Sequence, residues 1–197
     1  VLNQPSGGSW STLIISPSGT RSISGAIAGN LIDFNGADNV AINGGGTLTI
    51  DNTSNNAAAT TIRFINNATN NTVQNCNIKG SGTGTAVGTI FFSTGSTTGN
   101  DGNTIDSNNI TPSGANLPTN AIYSSTATAD NSGNTISNNN ISDYFSAAAV
   151  SVGINLSATG NSGWTITNNK LFQTATRVYT TANTHSAINI GTGSGYT

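Results

Sequence analysis

The chain has 197 residues and a formal net charge of −2, with only 6% of its residues charged. Its five lysines and arginines do not cluster, which excludes the basic footprint that nucleic acid requires. No apolar run approaches the roughly 18 residues of a membrane-spanning helix, so membrane insertion is not expected.

Residues 1–20 read as a lead-in segment or cap-like start. From residue 21 two short patterns alternate to the end of the chain. One is a strand with apolar residues at i and i+2: Ile32/Phe34, Ile62/Phe64, Ile90/Phe92, Ile122/Ser124, Ile154/Leu156 and Ile188/Ile190. The fourth copy departs from the pattern, with Ser124 in an apolar place. The other pattern is Asn-Thr-Ile-x-Asn-Asn-x-Ile. It appears imperfectly from Asn39 to Leu48, then at Asn71–Ile78, Asn103–Ile110, Asn134–Ile141 and Trp164–Leu171. Its central apolar residue falls at 42, 73, 105, 136 and 166, giving steps of 31, 32, 31 and 30.

Side chains at i and i+2 lie on one face of a strand, and a lone strand cannot bury that face. Stacking the coils at the sheet spacing of about 4.8 Å buries it as a continuous column. The segments are short, β-branched and broken by Gly and Asn, which disfavours helix. The turns Asn100–Asn103, Asn131–Asn134 and Asn161–Trp164 each carry the Asn/Asp/Ser-Gly chemistry of a positive φ. The expectation is an all-β, right-handed parallel β-helix (solenoid) of five to six coils, about 31 residues per coil, over residues 21–197.

These repeats resemble the parallel β-helix repeats of pectate-lyase-like and NosD-like proteins. Asn30–Val40 and Thr61–Asn67 further resemble very large secreted repeat proteins of Bacteroidetes-type bacteria. That resemblance implies an exported, extracellular or cell-surface adhesin or filament component. The chain opens at Val1 with no visible signal peptide, so it reads as a processed or excised piece. Gly193–Thr197 repeats Asn161–Thr165 one period later, which leads us to expect further coils beyond Thr197, or end-to-end self-association.

Several columns carry candidate chemistry. Cys76, Asn108, Asn139 and Asn169 share one position; Asn108, Asn139 and Asn169 are expected to form an internal asparagine ladder, with Cys76 a buried filler. The outward column Asp33, Arg63, Phe91, Tyr123, Asn155, Asn189 places Phe91 and Tyr123 one coil apart. With Arg63 they form a candidate glycan-binding set, because aromatic faces stack on sugar rings. The rank Thr72, Thr104, Thr135, Thr165 admits an ice-binding surface, although the adjacent rank Gln74, Asp106, Ser137, Thr167 is irregular and exposed strands favour threonine in any case.

Polysaccharide lyases and hydrolases need grouped carboxylates, and the seven aspartates share no strand column. No catalytic residue is assigned. Asp101 and Asp130 fall on successive turns, where calcium could sit, but both also suit a turn. His185, the single histidine, has no acid or cysteine in its segment. The expected function is therefore a structural or adhesive module of an extracellular bacterial surface or filament protein. The alternatives are a carbohydrate-binding or polysaccharide-processing β-helix and, more distantly, an ice-binding surface.

Overall fold

A computed structural model describes residues 1–3, 10–125 and 128–197, so part of the lead-in segment (4–9) lies outside the described residues. The chain winds through about six coils of parallel strands, and the described residues contain no helix. Coil 1 holds β1 (Leu13–Ile15), β2 (Arg21–Gly25) and β3 (Asn30–Asn35). Coil 2 holds β4 (Val40–Asn52) and β5 (Thr60–Ile65), and coil 3 holds β6 (Thr72–Gly80) and β7 (Ile90–Phe92). Coil 4 holds β8 (Thr104–Asp106), β9 (Asn109–Pro112) and β10 (Asn120–Ser124). Coil 5 holds β11 (Asn131–Ser132), β12 (Thr135–Ser137), β13 (Asn140–Ser142) and β14 (Ser151–Leu156). Coil 6 holds β15 (Asn161–Ser162), β16 (Thr165–Thr167), β17 (Lys170–Phe172) and β18 (His185–Ile190).

One sheet stacks β3-β5-β7-β10-β14-β18, with Ile62 opposite Ile90, Ile90 opposite Ile122, and Ile122 opposite Ile154. In the other sheet β4 and β6 run unbroken, and the later coils divide the same path into β8/β9, β12/β13 and β16/β17. A corner recurs on this path in each of coils 3 to 6, inside unbroken β6 as well as between the divided strands. Asn75, Ser107, Asn138 and Asn168 all have φ near +55°, a left-handed bend that asparagine tolerates. A second corner repeats Asn39, Asn70, Gly102, Gly133 and Gly163 at φ between +55° and +64°.

The core is the sum of the inward columns. Ile62, Ile90, Ile122 and Ile154 are fully buried, as are Val73, Ile105 and Ile136. The end members are less covered: Ile32 and Ile166 are half-buried and Ile188 is 43% exposed, and among the described residues only the short segments at Leu2 and Thr197 bond the outer sides of β3 and β16. Phe34, Phe64 and Phe92 stack face to face at 4.7 Å between centroids. Where Ser124 interrupts the aromatic column, Trp164 fills the space, edge-on to Phe92 at 4.8 Å. Ser124 is itself buried and accepts a hydrogen bond from Asn131 Nδ2 at 3.0 Å.

The imperfect repeat at Asn39–Leu48 is a bulge. Asn43 pairs with Gln74 and Leu48 with Cys76, so Gly44–Thr47 face the single residue Asn75. Only glycine fits at position 44, since a Cβ there would lie 2.5 Å from Asn75 O and 2.7 Å from Cys76 Sγ.

Candidate functional site

The inward polar side chains join coil to coil. Asn108 donates from its backbone N (2.9 Å) and from Nδ2 (3.1 Å) to Asn139 Oδ1. Asn139 donates in the same two ways to Asn169 Oδ1. The remaining Nδ2 hydrogen of each reaches a carbonyl of the previous coil, Val73 O for Asn108 and Ile105 O for Asn139. Cys76 N donates to Asn108 Oδ1, and burial pushes the Cys76 thiol up to about 11, so it stays protonated near neutrality.

Two further ladders were not separated in the sequence. Asn71, Asn103 and Asn134 repeat the same two bonds at the second corner. Asn100 bonds Asn131 likewise beside it. The signal was present. The first Asn of the repeat, at 71, 103 and 134, is as regular as the ladder position, and Trp164 occupies its fourth place. Trp164 Nε1 donates to Asn131 O at 2.7 Å.

Outside the β3–β18 sheet, the column Asp33, Arg63, Phe91, Tyr123, Asn155, Asn189 is in register. Arg63 grips Asp33 through two parallel bonds of 2.8 Å. Phe91 and Tyr123 lie 5.9 Å apart with rings inclined by 49°, both half-buried. Burial raises the Tyr123 hydroxyl above its usual range. The arrangement offers two adjacent apolar rings, one phenol and a guanidinium already neutralised by its carboxylate.

The acids also reach to the next coil. Asp38 Oδ1 accepts from Thr69 N and Oγ1, Asp101 Oδ1 from Ser132 N, and Asp130 Oδ2 from Ser162 Oγ. Asp106 Oδ1 accepts from Ser137 Oγ and Asn138 Nδ2, and Asp143 from Thr174 and Arg177. With Asp33 on Arg63, six of the seven aspartates are held by the following coil; the buried Oδ1 of Asp51 has no partner among the described residues. For Asp106, burial pushes the carboxyl up, but the bonds from Ser137, Asn138 and Ser107 outweigh it and leave the acid below its usual range. Burial raises Asp101, and the nearby Asp130 charge adds to that against the Ser132 bonds. The calcium candidates are thus neighbours, each engaged by the next coil. Among the described residues no three His, Cys, Asp or Glu side chains converge as a metal cluster would require.

Thr72, Thr104, Thr135 and Thr165 stand in register on the outer face of the other sheet, beside Gln74, Asp106, Ser137 and Thr167. A shallow cleft of about 160 Å³ at the second corner is lined by Thr12, Asn39, Val40, Ala41, Asn70 and Thr72, without a titratable side chain. His185 opens β18 and meets Ser151, Gln173, Tyr144 and Phe145, which come from three other segments. No local spacing could have announced that group.

Fold and columns together define a parallel β-solenoid whose polar side chains are shared between coils. No protein-family model, no curated protein and no solved structure matches the chain.

Proposed function

We propose that this solenoid is a structural or adhesive module of an extracellular bacterial surface or filament protein. The observation that supports it most is the axial continuity of the bonding: amide ladders, aspartate–hydroxyl pairs and the phenylalanine stack all run from coil to coil. Such a body is a stiff spacer whose outer faces vary without disturbing the ladders inside. Its low charge and Asn/Ser/Thr/Gly surface suit a wall or stalk. Half-exposed Ile188 (43%) and Ile190 (44%) on β18 fit an edge on which another parallel coil can stack. The test is immunogold labelling of intact bacteria carrying the gene. Gold on the cell surface or on filaments is expected; gold only inside permeabilised cells would contradict the placement.

A second reading rests on Phe91 and Tyr123. Two rings on successive coils, beside Arg63, form a floor on which neighbouring sugar units can stack. Glycan-array binding by the wild-type chain, lost in Phe91→Ala and Tyr123→Ala with an unchanged thermal midpoint, is the expected result. Undiminished binding in both variants would remove this face from consideration.

A further inference from the structure

Between β17 and β18 the chain runs from 173 to 184 without a strand and lies as a strap over the 143–150 turn. Thr174 N and Oγ1 donate to Asp143, Thr180 N and Oγ1 donate to Ala147 O, and Tyr179 packs on Phe145 at 5.0 Å. A directional chain of hydrogen bonds then links the strap to the solenoid wall. Arg177 Nη2 donates to Asp143 Oδ1, and Arg177 Nε donates to Gln173 Oε1 at 3.0 Å. Because guanidinium only donates, the Gln173 amide must present its oxygen there. Its nitrogen is then fixed on the other side, donating to Tyr144 O at 3.0 Å and reaching His185 Nε2 at 3.2 Å. Nε2 must therefore be the accepting nitrogen, and Nδ1 carries the hydrogen that faces Ser151 Oγ at 3.0 Å.

We propose that His185 is the proton-sensing end of a clasp that releases the 173–184 strap when its imidazole gains a second proton. An N–H on Nε2 would point at an N–H of Gln173. Turning the amide to accept from the imidazolium would aim its NH₂ at Arg177 Nε–H and abandon Tyr144 O. Either way one bond that holds the strap is lost. Charged and aromatic groups face His185 from the strap and from the 143–150 turn. Arg177, on the strap, repels a charged ring. Asp143, on the turn, would favour one but is occupied by Arg177 and Thr174. Tyr144 stacks on the ring at 5.0 Å and offers a cation–π face, Phe145 meets it edge-on, and Tyr179 lies behind Phe145. Burial first, and the Arg177 charge second, hold the imidazole below its usual value, so repulsion and desolvation outweigh the aromatic face. Release would bare Tyr144 and Phe145, now 2% and 9% exposed.

Ring-nitrogen NMR on the whole chain tests the chemistry, and amide exchange tests the movement. The expected spectrum has an unprotonated Nε2, a protonated Nδ1 and a midpoint below 6.5. After correction for intrinsic exchange, protection of 173–184 should fall roughly tenfold between about pH 7.5 and about pH 5, with coils 2–4 unchanged. His185→Phe keeps the stack and should abolish the pH dependence. Gln173→Glu can accept from both neighbours but loses the Tyr144 bond at every pH, so it should lift the midpoint above 6.5 and remove the fall in strap protection between the two pH values. An Nε2–H tautomer, equal wild-type protection at both pH values, or loosening that persists in His185→Phe would overturn the proposal.

Discussion

Asparagine does two unlike jobs one residue apart. Asn138 bends the chain at φ +56°, and Asn139 turns inward and bonds the coils on either side. The first job uses tolerance of the left-handed region; the second uses an amide that donates twice and accepts twice. Serine suits the first job less well, and Ser107 sits at φ +55° on an exposed corner. Ser107→Asn is expected to raise stability by about 0.5–1 kcal/mol, read as a higher urea midpoint at unchanged slope. Asn139→Leu strands the amides of Asn108 and Asn169 and should cost about 1–3 kcal/mol. An unchanged midpoint in that variant would mean the ladder contributes nothing.

Elements show how far the sequence could be read and where it stopped. The inward columns were legible because alternation and a period near 31 place each residue directly over its counterpart. So was the departure at Ser124, but its remedy was not: Trp164 lies 40 residues further on, in the sixth coil, and only the wound chain brings its ring to Phe92. The 71/103/134 ladder was regular enough to see, yet in sequence a turn-forming asparagine and a ladder asparagine look the same. The adjacency of Phe91 and Tyr123 followed from the period, whereas the inclination of their rings did not. Trp164→Ala should open a cavity beside Phe92 and cost about 3–5 kcal/mol, seen as a large drop in thermal midpoint. The strap adds a pH dependence. His185 is lowered in the fold, so its share of stability is complete above its ordinary value of 6.5 and is lost as pH falls through the lower folded value. Asp143 is pushed up by burial and pulled further down by Thr174 and Arg177, so its share is complete above 3.8 and is lost only in stronger acid. Urea midpoints taken across this range should fall in two stages, the upper one missing in His185→Phe.

The whole molecule is a stack in which each coil answers to its two neighbours, so local changes should spread axially rather than around a coil. That is the physical content of the scaffold proposal. The ladder amides and the aspartate–hydroxyl pairs are distributed along the axis. The most direct measurement is amide exchange at backbone groups that donate to a side chain of the next coil. Asn71 N bonds Asn103 Oδ1, Asn103 N bonds Asn134 Oδ1, Asn108 N bonds Asn139 Oδ1, and Asn139 N bonds Asn169 Oδ1. These four amides should exchange as slowly as those of buried Ile105 and Ile136. Exchange near the intrinsic rate of an unprotected amide would contradict the claim that the ladders hold the coils together.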